Sequence, residues 1–253
     1  MIFDTHAHYD DKAFDEDREE LLSSMPLKGV GLILDPGCDV ISSKTALALS
    51  EKYPYVYAAV GSHPEELGED PHSALEEIQK LAAHKKCRAI GEIGLDYYWD
   101  VSRKEEQKEI FAAQLALACE LDLPVIVHDR EAHGDCFAIV CEYPYLRGVF
   151  HCYSGSAEMA KELLKRGWYL GFDGPITYKN NVKAMEVLSI TPLDRIVLET
   201  DSPYLSPVPN RGKRNDSRNL QYIAEIVSRE KGISVEEVAA LTFENGKRLY
   251  DIG

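Results

Sequence analysis

Short runs rich in β-branched and apolar residues recur eight times along this chain, and an amphipathic stretch follows each one. The strand candidates are 2–6 (IFDTH), 30–34 (VGLIL), 56–60 (VYAAV), 88–93 (RAIGEI), 124–128 (PVIVH), 147–151 (RGVFH), 168–172 (WYLGF) and 195–200 (RIVLET). Helical patterns fall at about 14–25, 41–53, 72–84, 103–122, 131–143, 156–167 and 180–190, with two more at 218–231 and 234–250. The 103–122 segment repeats apolar residues at Ile110, Phe111, Leu115, Ala118 and Leu121, close to the helical period. Ser234 with Glu237 three residues on reads as a capping box opening the last helix. Strands alternating with helices, with no long structureless linker, predict an α/β fold: a (β/α)8 TIM-type barrel, one domain over residues 1–253. A doubly wound open sheet wants a glycine-rich turn after the first strand, and DTHAHYDD offers none.

Composition agrees with a folded enzyme-sized domain. The chain has 253 residues, 45% apolar and 28% charged. That length can bury roughly three quarters of its unfolded surface. No window reaches the ~18 apolar residues that span a bilayer, so no membrane partner is expected. The first residues, MIFDTHAHYDDKAFDEDREE, have neither the basic region nor the apolar run of a secretory signal, and are too acidic for mitochondrial targeting. The six cysteines are scattered without a CxxC pair, as in reduced, mostly buried thiols. The expected compartment is cytoplasmic. Lys plus Arg is 28 against 43 Asp plus Glu, a net charge of −15. Such a surface does not hold duplex nucleic acid by bulk charge. A nucleic-acid enzyme of this composition needs local cations or bound metal at the phosphate.

In a barrel of this kind, groups at the C-terminal ends of strands gather over one mouth. His6 and His8 close the first strand, Glu92 lies near the end of the fourth, His128 ends the fifth and His151 the sixth. His63 follows the third strand and Asp201 the eighth. In extended chain, His6 and His8 share a face and can bind one ion; the plainer alternative is two ordinary strand-end histidines. An inward Glu92 among Ala89, Ile90 and Ile93 is costly unless it is paired or metal-bound. Its two oxygens can bridge two cations. His128 and His151 each end an apolar run; singly they read as satisfied core histidines, together as ligands of a second ion. Asp201 reads either as a turn cap or as a ligand. Four histidines and two carboxylates suit two ions at about 3.5–4 Å separation. Mixed ligation favours Zn²⁺, Mn²⁺ or Fe²⁺ over the oxygen shell that Mg²⁺ prefers. The expected cofactors are two divalent ions, Mg²⁺, Mn²⁺ or Zn²⁺.

The stretches FDTHAHYDD (3–11), VGSHPEE (60–66), IGEIGLDYY (90–98), VIVHDREA (125–132), FHCYSGS (150–156), LETDSPYL (198–205) and PNRGKRN (209–215) resemble the TatD family of metal-dependent deoxyribonucleases, within the amidohydrolase-like metal-dependent hydrolases. The resemblance runs from the first strand to the last loop. It implies a TIM-type barrel, two divalent metals and phosphodiester hydrolysis, often 3′-to-5′. It implies that His6, His8 and Asp201 hold one metal, that His128 and His151 hold the other, and that Glu92 is shared. Two stretches depart from the family pattern. After RGKRN the family often continues Glu-Pro, where this chain has Asp216-Ser217; many relatives carry a basic or His residue where this chain has Glu65 and Glu66. The bridging position is Glu92 rather than a carboxylated lysine.

The expected function is a divalent-metal-dependent phosphodiester hydrolase, acting on DNA ends or single-stranded oligonucleotides from the 3′ end. Glu92 and Asp201 are the candidate catalytic residues. His63 is a candidate phosphate donor, or a cap of the following turn. Arg211, in the basic loop 205–218, is the candidate phosphate fork. Tyr97, with Tyr98 and Trp99, either stacks a terminal base or packs its loop on the barrel. No obligate protein partner is implied. The alternatives are a hydrolase of another small ester, amide or phosphate on the same scaffold, and a metal-stabilised binding protein without turnover.

Overall fold

The apolar runs pair side by side in chain order. In a computed structural model, which describes residues 1–99 and 101–253, they form one sheet of eight parallel strands. These are β1 (Ile2–Asp4), β2 (Val30–Pro36), β3 (Val56–Val60), β4 (Cys87–Asp96), β5 (Val125–Arg130), β6 (Gly148–Phe150), β7 (Tyr169–Phe172) and β8 (Ile196–Leu198). The seam between β8 and β1 is drawn together by Thr5, whose amide and hydroxyl both donate to Leu198 O, at 3.1 and 3.0 Å. Asp4 adds a clamp, accepting from the Thr200 amide at 3.0 Å and the Thr200 hydroxyl at 2.7 Å. The result is a nearly closed TIM-type (β/α)8 barrel in a single domain.

Helices α1 (Arg18–Ser24), α2 (Val40–Lys52), α3 (Pro71–Ala82), α4 (Lys104–Leu121), α5 (His133–Cys141), α6 (Ala157–Lys165) and α7 (Val182–Ile190) connect the strands. The chain ends with α8 (Leu220–Lys231) and α9 (Val235–Leu249). The α4 stripe buries Ile110, Phe111, Leu115 and Ala118 as its spacing predicts, whereas Leu121 in the last turn is exposed. The Ser234–Glu237 capping box forms at the start of α9. None of the six cysteines is paired. No described helix is long and apolar enough to cross a membrane.

One residue from every strand joins a single buried cluster: Phe3, Leu34, Ala59, Ala89, Ile126, Val149, Tyr169 and Val197. Eight strands can share one cluster only inside the cylinder, so this is the inner packing layer. Leu249, Tyr250 and Ile252, from the chain after β8, join it. Side chains alternate along a strand, so the next inward position lies two residues on. From Ile126, Val149 and Val197 that step reaches His128, His151 and Glu199. From Ala59, Ala89 and Tyr169 it reaches Gly61, Gly91 and Gly171, where a Cβ would come within 2.8, 2.6 and 2.4 Å of neighbouring atoms. The layer above an apolar floor is therefore polar.

Candidate metal centre

Alternation from Ala89 alone would turn Glu92 out of the barrel. The β4–β5 register prevents this: Ile90 pairs with Val125 and Ile93 with Val127, three residues against two. The extra residue re-aims the strand, as bulges beside functional sites do, and Glu92 points inward. Gly94 (φ +148°) follows, and a Cβ there would lie 1.9 Å from His128 O. Its lack of a side chain lets β4 and β5 close up where Glu92 and His128 meet.

β1 is shorter than the sequence predicts, ending at Asp4, so His6 and His8 lie beyond it. Their shared orientation survives because Ala7, between them, bridges Ser202. The amides of Thr200 and Asp201 both donate to His6 O, at 3.3 and 3.0 Å. Asp201 itself, three residues beyond the end of β8, takes a left-handed turn at φ 54°, where a non-glycine residue is uncommon.

The six residues meet around Glu92, which is 3% exposed. Its Oε2 lies 3.2 Å from His6 Nε2 and 3.4 Å from His8 Nε2. Its Oε1 lies 2.8 Å from His128 Nδ1 and 2.7 Å from His151 Nε2. Asp201 Oδ1 joins the first group, at 3.6 Å from His6 Nε2 and 3.4 Å from His8 Nε2. One carboxylate thus separates two imidazole pairs, one on each oxygen.

Proton bookkeeping identifies the free lone pairs. His8 Nδ1 donates to Pro36 O at 3.0 Å, which turns Nε2 toward Glu92. His128 is the reverse: its Nε2 bonds Asp96 Oδ2 at 3.0 Å, and Nδ1 faces Glu92. Such outer partners fix ring orientation in metal sites. His6 Nε2 and His8 Nε2 then face one another at 3.0 Å. Nitrogens and carboxylate oxygens crowded in this way form a donor set that fits divalent cations, which would displace the protons held between them.

His63 differs. Its Nδ1 accepts the Glu65 amide at 3.2 Å, so the ring proton sits on Nε2, 3.6 Å from Glu92 Oε1. Proximity alone groups His63 with Glu92 and His128 as possible metal ligands. The tautomer argues for a hydrogen-bond donor instead.

Burial and the neighbouring His151 push the His6 imidazole down to about 4. Burial and His128 push His63 down to about 3, so it is neutral. Burial also opposes charge on His128, but its bonds to Asp96 and Glu92 outweigh that and raise it to about 10. For Glu92, burial favours the neutral acid. The surrounding His151, His6 and His63 and the bond to His128 overcome burial and hold the carboxyl well below its usual range.

Above the centre opens a cavity of about 940 Å³. Its walls include His63, Trp99, Arg130, Lys183 and Tyr204. Tyr97 does not line it. The Tyr97 amide continues the β4–β5 pairing onto Arg130 O at 2.9 Å, and its hydroxyl donates to Asp135 on α5 at 2.8 Å. The ring therefore packs the loop onto the scaffold, and of residues 97–99 it is Trp99, 63% exposed, that reaches the mouth. The Arg130 guanidinium lies 4.0 Å from the Tyr98 ring centre and 5.3 Å from that of Trp99. Arg211 is also outside the lining; its guanidinium stacks on Tyr178 at 4.3 Å. In the same loop, Arg214 is paired with Asp17, and Arg218 with Asp216 at 2.7 Å. Sequence reasoning missed Asp96, Arg130 and Lys183. Asp96 and Arg130 lay inside the quoted motifs GLDYY and HDREA, but nothing in their spacing set them apart from surface charges.

A barrel whose mouth gathers imidazoles around a buried carboxylate defines a metal-dependent hydrolase. A family model described as TatD related DNase matches residues 3–251, and this chain belongs to that family. It is 43% identical over 254 residues to the uncharacterized metal-dependent hydrolase YabD of Bacillus subtilis, covering 100% of both chains. It is 32% identical over 261 residues to the 3′-5′ ssDNA/RNA exonuclease TatD of Citrobacter rodentium, covering 99% of this chain and 98% of that one. The crystal structure of YJJV, a TatD homolog from Escherichia coli K12, superposes with a TM-score of 0.93 at 31% identity, covering 100% of this chain and 98% of that one.

Proposed function

We propose that the protein is a two-cation phosphodiester hydrolase that shortens single-stranded or frayed DNA from its 3′ end. The observation that supports this most is the division of Glu92, whose two oxygens face two separate imidazole pairs. On this reading His6, His8, Asp201 and Glu92 would hold one ion. His128, His151 and the same Glu92 would hold the other. Two bound divalent ions supply Lewis acidity toward a phosphoryl oxygen and make a nearby water acidic enough to react at neutral pH.

The chain's own groups do the rest. Asp201 takes the proton of the attacking water at a carboxylate oxygen. The new bond forms at phosphorus, the bond to the 3′-oxygen of the penultimate nucleotide breaks, and that oxygen leaves with the proton Asp201 took up. His63 Nε2–H donates to a non-bridging oxygen, a neutral donor already fixed by the Glu65 amide. Arg130 and Lys183 are the cations on the cavity wall available to the next phosphate, in place of Arg211. Trp99 offers its face to the terminal base, in place of Tyr97. The acids Glu65, Glu66 and Asp129 on the same wall disfavour a long duplex.

A time course on a 5′-labelled single-stranded oligonucleotide with Mn²⁺ or Mg²⁺ tests the reading. The expected result is a ladder shortening from the 3′ end, abolished by chelator. An intact oligonucleotide, with turnover of a small ester or amide under the same conditions, would contradict it.

A further inference from the structure

Two of the proposed ligands have no partner for their second nitrogen. His6 Nδ1 and His151 Nδ1 are both buried without a hydrogen bond. The rings stack with centroids 4.1 Å apart and planes 10° from parallel. Both present Nε2 to Glu92, so both turn the Nδ1 edge away from it. If Nε2 carries the lone pair for an ion, Nδ1 carries a proton, and a buried N–H without an acceptor is costly.

Glu199 lies on that side. It is two residues beyond Val197 of the inner layer and 0% exposed. Its Oε1 accepts the Cys152 amide, and its Oε2 has no partner. His151 Nδ1 is 3.8 Å from Oε1. Ring nitrogens of His6 and His151 and an oxygen of Glu199 all lie within 4.8 Å of one another. The space is shaped for this carboxylate: a Cβ on Gly171 would come within 2.4 Å of Glu199 Oε2 and 2.5 Å of Oε1. Two proton-bearing nitrogens without acceptors thus adjoin one carboxylate with a free oxygen.

We propose that Glu199 is a positioning residue shared by both cation sites, accepting the Nδ1–H of His6 on one side and of His151 on the other. It holds the two rings with Nε2 toward the ions and couples the two sites through the Nδ1 edges, as Glu92 couples them through the Nε2 edges. This rests on the two-cation reading of the centre.

Calorimetric titration of the metal-free protein with Mn²⁺, alongside its melting temperature, tests the inference. For the near-isosteric Glu199→Gln, the affinity of both sites should fall by about 10- to 100-fold, the scale for outer partners of ligating histidines. The metal-free melting temperature should stay within a few degrees. Gly171→Ala, which displaces the carboxylate without removing it, should weaken both sites in the same way. Unchanged Mn²⁺ affinities in either variant, weakening of one site alone, or a lowered metal-free melting temperature with normal affinities would overturn the inference while leaving the two-cation reading intact. Wild type that binds fewer than two ions would overturn both.

Discussion

The two ends of the barrel use the same eight strands for opposite purposes. At the floor, each strand contributes an apolar side chain to one sealed cluster that includes Leu34, Ile126 and Val197. One alternation higher, β5, β6 and β8 supply the half-buried His128 and the buried His151 and Glu199, polar groups that an apolar interior does not favour. The floor gains stability from packing. The mouth gives some up to bring acids and imidazoles within 4 Å of one another. The stability of this molecule is therefore governed mainly from below and its chemistry from above, and substitutions should separate the two.

The largest separation is expected at Glu92. Glu92→Gln should lower hydrolysis by about 10³-fold or more, because losing the shared carboxylate removes several kcal/mol of charge stabilisation. The metal-free melting temperature should change by only a few degrees. Oligonucleotide assays with matched thermal melts measure both. A variant that keeps its activity would merge the two ends.

Leu34→Ala should do the opposite. Deleting this fully buried side chain should cost about 2–5 kcal/mol, read by denaturant titration. The rate per folded, metal-loaded molecule should stay within about two-fold of wild type. Loss of turnover without loss of stability would break the comparison from the other side.

A smaller effect is expected at the rim. Trp99→Ala should raise KM for a single-stranded oligonucleotide by about tenfold, from the ~1–3 kcal/mol of one base–aromatic stack. Tyr97→Phe should leave KM unchanged, because that hydroxyl holds Asp135 and not the cavity.

The smallest effect concerns that outer contact. Hydrogen bonds from Lys108 first and Tyr97 next hold Asp135 down at about 2. A carboxyl whose folded pKa is depressed stabilises the fold above its unfolded value, about 3.9, and loses that contribution as pH falls toward 2. Asp135→Asn should therefore be less stable than wild type near neutrality, by at most about 1 kcal/mol for so exposed a group. The two proteins should converge between about pH 4 and pH 2 in urea melts.

Much of this was legible in the sequence. Strand and helix periodicity specified the barrel, since eight apolar runs with helices between them have few other ways to bury both strand faces. The ligand-type residues were legible because histidines and acids at the ends of apolar strands are expensive. Glu92 was legible only as an anomaly: its inward orientation depends on the three-for-two register against β5, which simple alternation does not show. Tyr97 and Trp99 could not be told apart, because which of three consecutive aromatics faces the mouth depends on how far β4 continues. Arg211 was favoured by the charge of its loop, yet its position on Tyr178 is a tertiary matter. Glu199 was visible in LETDSPYL, but its meaning depends on the unpartnered nitrogens of His6 and His151, which lie far away in the chain.

Anomalous diffraction from crystals grown with Mn²⁺ tests the central claim most directly. Two peaks about 3.5–4 Å apart, one on each oxygen of Glu92, are the predicted result. A single peak, or a pair that does not share Glu92, would contradict it.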